Sequence, residues 1–473
     1  MKAIIPEFSP ESREPLYLQL YNYIKKQILS NEIVYGEKLP SLRNLSETLS
    51  LSITTVEQAY AQLAVEGYVE SRPCSGYYVS EIFLPDEESE LFNTHSEYFL
   101  SQKNSAENYD EFNRLNMPHM IYDLSSFNWN RWKKCINKVI TDYPENLLFE
   151  SDPQGEKALR YEISKYIYES RGVKSNLEQI VIAAGTQQIT SHLSNILRLN
   201  SIENISVESP GYMLVTNIFK DRGFAINPID VSKDGINIGR LPWNIASAVY
   251  VNPSNQFPTG AVMPVAKRYQ LLDWAKKNNS YIIEDDYDSE LRYFGKPLPP
   301  LKSLFSGESV IYLGSFSSTL FPAAKISYMV LPENLAATFD KIKANYSQTC
   351  SKTEQLALAF YMKEGWFQTG IKKLRKSFSV KLIKISQALE KYGKNFIAPL
   401  NTKSGISIII KVYSPLSSQS LSELAKDIGL IVLPAENVTQ LKDTRTLILY
   451  YNYIPKEDID TTIEKLIKRW KGL

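Results

Sequence analysis

Apolar residues in the first eighty positions recur at helical spacing, and short polar breaks divide them into three runs. Leu16, Leu20, Tyr23, Ile24 and Ile28 line one face of a first helix that fades by Asn31. Ser41 then precedes LRNLSETL and supplies the oxygen that caps a short second helix. Ser52 does the same for ITTVEQAYAQLAVE, which Gly67 ends. The following YVESRPCSGYYV changes to strand-like aromatic and β-branched content and predicts a two-stranded hairpin with Gly76 near its turn. Two short helices, the second with small polar residues at its N-terminal end, are what a helix-turn-helix needs to read base edges in the major groove. A plain three-helix module fits the same spacing, so periodicity alone leaves both readings open.

A different pattern begins at about residue 119. Short β-rich runs (QIVIAAG, ENISVES, SAVYVNP, SYIIEDD and SVIYLGS) alternate with longer amphipathic stretches. Such alternation predicts an α/β domain built on a mainly parallel sheet. Residues 81–111 lie between the two regions and carry nine acids (Glu81, Asp86, Glu87, Glu88, Glu90, Glu97, Glu107, Asp110, Glu111) against one base, Lys103. That composition predicts a solvated linker. The expected organisation is therefore a helical head over 1–80, a linker over 81–118, and a large domain over 119–473. The last part, from about 365, forms a smaller α+β subdomain.

Composition narrows the partners. The chain has 473 residues, 43% hydrophobic and 22% charged, which is ordinary for a multi-domain globular protein. Its net charge is +1, so any nucleic-acid surface must be local. Cys74, Cys135 and Cys350 lie far apart with no C-x-x-C spacing, which argues against a disulfide framework or a zinc site and for reduced cytoplasmic thiols. The proline- and acid-interrupted start, MKAIIPEFSPESREP, is not a signal peptide. No run of about eighteen apolar residues exists to span a membrane. The expected location is cytoplasmic.

LPSLRNL, SITTVEQAY and LAVEGYVESRPCSGYYV, in that order, resemble the winged-helix domain of GntR-superfamily regulators. The resemblance implies that Lys38, Ser41, Arg43, Thr54, Thr55, Arg72, Ser75 and Gly76 face operator DNA. Two positions depart from the family, which usually has arginine at Ile53 and glycine at Cys74. Residues 1–80 also hold four Lys and three Arg against nine Glu, a net charge of about −2. Affinity for DNA comes largely from neutralised phosphates, so Lys25, Lys26, Lys38, Arg43 and Arg72 must gather on one face.

The long remainder carries DPQGEKALR (152–160), SRGV (170–173), AAGTQQ (183–188), ESPGY (208–212), VNPSNQFPTG (251–260), IIEDDYDSELRY (282–293) and YLGSFSSTLFPAAKISYMVLP (312–332). Together they resemble the fold-type I, pyridoxal-phosphate-dependent aminotransferases, and more closely the aminotransferase-like domain of MocR-type regulators. In that family Gly185, Thr186 and Gln187 offer backbone N–H groups to the cofactor phosphate at a helix N-terminus. Ser315, Ser317 and Lys325 would also bind the cofactor, Lys325 at its phosphate. Tyr212 would stack on the pyridine ring, Asn255 and Tyr287 would hydrogen-bond the phenolic oxygen, and Asp285 would pair with the ring nitrogen. Each residue also admits a plainer role taken singly, such as a core aromatic for Tyr212, a simple turn for Gly185 and a solvated strand tip for EDDYDSE.

Two departures change what the resemblance implies. The family's G-T-F-S-K reads Gly314, Ser315, Phe316, Ser317, Ser318, so Ser318 stands where a lysine would form the Schiff base. A hydroxyl can neither form that imine nor move the α-proton of an amino acid. The phosphate-binding arginine is replaced by Lys325, which keeps the charge but loses the bidentate fork. The segment before Trp129 and Trp132 is also shorter than the family's, and Leu214 stands where some members carry an arginine that grips a carboxylate. Arg445, before TLILYYN, is the remaining candidate for that task, or else a surface arginine at a strand start.

The implied function is a DNA-binding regulator whose inactive aminotransferase-like domain senses a small, amino-acid-like effector and forms a head-to-tail homodimer. Three ligand cases stand open: pyridoxal 5′-phosphate held non-covalently, a preformed cofactor–amine adduct, or another small molecule. The competing functions are an aminotransferase with a fused regulatory head, which Ser318 opposes, and a scaffold that has lost both ancestral activities.

Overall fold

Three capped helices and a hairpin build the N-terminal head: α1 (Leu16–Leu29), α2 (Leu42–Leu49), α3 (Ile53–Val65), β1 (Val69–Arg72) and β2 (Gly76–Val79). The computed structural model describes residues 6, 14–30, 32–73, 75–81, 127–293, 298–304, 308–400, 402, 405–439 and 445–472. The linker expected at 81–118, apart from Glu81, lies outside the described residues, as do Cys74 and residues 119–126. The chain divides into two compact units, Met1–Asp110 and Glu111–Leu473.

The caps act as the sequence predicts. Ser41 Oγ accepts the backbone N–H of Asn44 at 3.2 Å, and Ser52 Oγ accepts that of Thr55 at 3.1 Å. Each satisfies a donor that a helix start leaves without an intrahelical partner. The wing strands pair antiparallel from Val69↔Val79 to Arg72↔Gly76. One detail of α1 differs from expectation. Its buried face runs through Leu20, Tyr21, Ile24 and Ile28, while Leu16 is 45% exposed in the first turn. Tyr21 takes the inward place because its hydroxyl donates to Glu66, just past the end of α3, a partner that no local pattern reveals.

The large unit is layered around an eight-stranded sheet in the order β3-β10-β9-β8-β7-β4-β5-β6. Its strands are β3 (Ile180–Ala184), β4 (Asn204–Ser209), β5 (Ala225–Ser232), β6 (Gly235–Ile236), β7 (Ala248–Val251), β8 (Tyr281–Asp285), β9 (Val310–Ser315) and β10 (Ile326–Val330). All but β6 and β10 point the same way, so the sheet is mainly parallel. Covered on both faces, β3, β7 and β8 read as near-continuous apolar runs.

Helices α4 (Trp129–Asp142) and α5 (Lys157–Arg171) pack on one side through Trp132, Val139, Ile163 and Ile167. Helices α6 (Gly185–Leu199) and α7 (Met213–Asp221) cover another through Leu193, Ile196, Val215 and Phe219. A second, four-stranded antiparallel sheet has the order β11 (Ile397–Pro399), β12 (Ser407–Val412), β14 (Thr446–Tyr450), β13 (Val432–Pro434). It packs with helices Trp366–Gly393 and Ile459–Lys471 around a separate core that includes Leu382, Ile408, Leu447 and Ile463.

Candidate ligand pocket and nucleic-acid interface

The carboxyl ends of five parallel strands bring most of the expected pocket residues to one rim. β3 runs into Gly185, β4 into Pro210–Tyr212, β7 into Asn252–Asn255, β8 ends at Asp285, and β9 leads to Ser315–Ser318. Ligand sites of open α/β sheets form at such a rim because the strand ends and following loops converge there. A polar crevice of about 570 Å³ near Lys174, Asn176 and Glu333 lies at the opposite, amino-terminal ends and holds none of the expected residues.

Gly185 starts α6 with φ +80°, a conformation open to glycine and strained for other residues. No side chain caps this helix, and the Lys325 Cδ stands 3.8 Å from where a Gly185 side chain would begin. Thr186 and Gln187 follow in the first turn. Ser315 and Ser317 join this group from β9: Ser315 Oγ accepts the Ser327 hydroxyl at 3.0 Å and the Ser317 backbone N–H at 3.3 Å. Gly314 is required by a close approach, since a Cβ there would lie 2.3 Å from Tyr328 Cζ.

Asp285 is 9% exposed, and its carboxylate accepts the Tyr250 hydroxyl and the Tyr287 backbone N–H, the latter at 3.3 Å. Burial pushes it up to about 6 despite these donors. Beside it Glu208 is fully enclosed. One of its oxygens accepts the Asn252 N–H at 3.1 Å and the Gln256 amide at 3.3 Å, and the other has no hydrogen-bond partner. Burial raises Glu208 to about 8, so it is largely protonated at neutral pH. The half-buried Tyr212 meets Phe257 edge to face at 6.1 Å. The Tyr287 hydroxyl donates to the Asn255 carbonyl at 3.2 Å.

Ser318 lies beside Asp288 and partly offsets the cost of its burial, while the buried Oδ1 of Asp288 has no hydrogen-bond partner. Asp288 and Asn255 share a small cavity with Arg171 and Arg292. Arg171 is committed elsewhere: its Nε and Nη2 grip Asp286 at 2.7 and 2.9 Å, and the Tyr312 hydroxyl adds a third bond to that carboxylate.

Arg445 is not brought to this group. It precedes β14, its Nε donates to the Leu416 carbonyl at 3.3 Å, and it pairs at the Val412 end of β12. The pocket-side end of the same strand is Tyr450, five residues on and about 16 Å away at strand rise. The strand register places Arg445 at the end of β14 opposite Tyr450. Leu214 is half-buried in α7.

Sequence reading assigned no role to Arg171, Glu208, Tyr250, Asp286 or Asp288. Four of these lay inside the quoted motifs. Tyr250 carried a usable signal, because a tyrosine in an otherwise apolar buried strand needs a partner for its hydroxyl.

In the head, Ser41, Arg43, Thr54, Lys38 and Arg72 are exposed, and Thr55, Ser75 and Gly76 are half-buried. Thr55 shares its hydroxyl with Ser52 at 2.7 Å at the start of α3. Lys38 and Arg72 converge on the Tyr78 ring at 5.8 and 4.4 Å, and Ser75 bonds its hydroxyl at 2.7 Å. Glu70 pairs with Arg72 and offsets part of this charge. Lys25 is held by Glu66 at 3.3 Å and lies over Tyr68, so it belongs to the α1–α3 packing rather than to the wing cluster. Lys26 is exposed in the last turn of α1.

Residues 16–79 match the family described as bacterial regulatory proteins, gntR family, and residues 124–448 match aminotransferase class I and II. The uncharacterized HTH-type transcriptional regulator YdeL of Bacillus subtilis is 36% identical, over 97% of both chains. The HTH-type pyridoxine biosynthesis transcriptional regulator PdxR of Corynebacterium glutamicum is 29% identical over 85% of both. Kynurenine aminotransferase of Pyrococcus horikoshii, solved with PMP, superposes with a TM-score of 0.65 at 22% identity. The match covers 77% of this chain and 94% of that one, and it is a likeness of fold.

Proposed function

Since the chain belongs to the HTH-type transcriptional regulators that join a gntR-family domain to an aminotransferase class I and II domain, we propose that it binds operator DNA and senses a small ligand through a pocket that holds pyridoxal phosphate or a derivative without a covalent bond. The observation that carries the ligand half is the pairing of Lys325 with the uncapped start of α6, at the strand-end rim that also holds Asp285 and Ser318.

The residues present fit the cofactor. The Gly185–Gln187 backbone, Ser315, Ser317 and Lys325 form a donor-rich, cationic end suited to its phosphate. Asp285 offers a buried carboxylate for the ring nitrogen, which would restore its charge by pairing. Tyr212 would lie against the ring, with Asn255 and Tyr287 toward its phenolic oxygen. When bound in an enzyme the group supplies an electron sink. Here Ser318 supplies no amine for attachment and no base for proton transfer, so the residues bind and orient a ligand rather than turn it over.

In the head, Thr54 and Thr55 sit at the start of α3, where a recognition helix meets base edges. Ser41 and Arg43 begin α2, and the Lys38–Arg72–Tyr78 cluster with Ser75 and Gly76 forms the wing contact. The small number of free cations predicts a modest salt dependence. A homodimer would place two heads on paired half-sites, and ligand binding would bias their relative placement.

Electrophoretic mobility shift on the gene's upstream region, at low and moderate salt, tests the DNA half. Specific retardation that weakens with salt is expected, and no retardation at any salt would favour the scaffold reading. Absorbance of protein mixed with pyridoxal phosphate, before and after gel filtration and borohydride, tests the ligand half. Retention without covalent trapping is expected.

A further inference from the structure

We infer that this pocket selects a cofactor form carrying a protonated amine at its 4′ carbon, as in pyridoxamine phosphate and phosphopyridoxyl–amino acid conjugates, over forms carrying oxygen there. The inference rests on the cofactor-pocket reading above and sharpens it.

Replacing lysine by Ser318 removes a cation from a site that keeps its anions. Ser318 stands beside Asp288 but carries no charge to pair with it. One oxygen of Asp288, Oδ1, is buried and has no hydrogen-bond partner. Among the described residues no cation makes an ion pair with it: of the two arginines that line the same cavity, Arg171 is taken by Asp286 and Arg292 forms no ion pair with Asp288. A buried carboxylate oxygen without a donor is costly, and a cationic donor from a ligand would recover that cost through a charge-assisted bond.

The position of Asp288 ties this deficit to one ligand atom. Asp288 Oδ2 and Asn255 Nδ2 both lie 4.0 Å from the point where a Gly405 side chain would begin, so the two side chains flank one spot. Asn255 is the residue assigned to the phenolic oxygen, which is the ring neighbour of the 4′ carbon. Position 318 is the one the family uses to reach that same carbon. Asn255, Ser318 and Asp288 would therefore border the 4′ substituent of a bound cofactor. An ammonium there gives Asp288 a charge-assisted donor, whereas a hydroxyl offers only a neutral one and an aldehyde only acceptor lone pairs. Burial raises Asp288 to about 6, so it is mostly ionised at pH 7.5 and able to take that role.

Calorimetry on the full chain at pH 7.5 tests the inference with pyridoxamine 5′-phosphate and pyridoxine 5′-phosphate. These differ at the 4′ carbon by ammonium against hydroxyl, and neither reacts with surface lysines. The wild type should prefer the amine at least tenfold. Asp288→Asn should reduce that preference below threefold. Asparagine suits this site because it matches the shape and tolerates the φ of +55°. A wild-type preference below threefold, or one unchanged in Asp288→Asn, would overturn the inference alone. Binding of neither compound would overturn the cofactor pocket and the inference together.

Discussion

The Arg171–Asp286 pair joins the end of α5 to the residue after β8, and its loss should be felt by the whole rim. The two side chains are 8% and 0% exposed, and the bidentate contact is made at 2.7 and 2.9 Å. Arg171→Met keeps the apolar stem but leaves Asp286 with the Tyr312 hydroxyl as its remaining side-chain donor. Breaking one side of a buried pair costs about 3–5 kcal/mol, because the surviving charge is uncompensated. At a urea dependence of about 3 kcal/mol/M this lowers the unfolding midpoint by about 1–1.7 M. All six tryptophans (129, 132, 243, 274, 366 and 470) lie in the large unit, so their fluorescence follows that unit and not the head. The Arg171→Met/Asp286→Leu double variant should recover most of the loss, since replacing a whole buried pair by apolar groups is often neutral. A midpoint shift below about 0.3 M in the single variant would refute the reasoning.

Three further outcomes follow from the same geometry. Ser318→Lys should acquire borohydride-trapped cofactor on the peptide containing position 318, which mass spectrometry of wild type should lack. For Glu208, burial holds the folded-state value near 8, above its unfolded value, so its stabilising contribution is present below about pH 4.5 and is lost as pH rises to about 8. Glu208→Gln keeps the neutral form, so the fall in unfolding free energy from urea titrations between pH 5.5 and 8 should flatten by up to about 1.4 kcal/mol per pH unit. An unchanged slope would assign the titration to other groups. Arg72→Ala should weaken DNA retardation and lower the slope of log K against log salt by about 0.9, the share of one phosphate contact. An equal slope would remove Arg72 from the interface.

Much of the architecture was legible from local rules. Ser41 and Ser52 cap the helices they precede because a side-chain oxygen there meets donors only three residues away. The apolar runs became the buried parallel strands because a strand covered on both faces must be apolar on both. The motif order located the strand ends, where most of the expected pocket residues gather. The inward place of Tyr21 on α1, the register that sets Arg445 at the far end of β14, and the partners of Arg171 and Tyr250 were not legible.

The order of motifs, the helix caps and the serine at position 318 are determined by the sequence alone, since each is a matter of residue identity or of neighbours a few positions apart. Tertiary structure alone decided the rest. Arg171 meets Asp286 across 115 positions, Tyr250 meets Asp285 across 35, and Ser318 meets Asp288 across 30. Burial then set which carboxyls ionise and which oxygen of Asp288 lacks a donor. Those are properties of the space that packed strands and loops enclose, and neither spacing nor composition encodes that space.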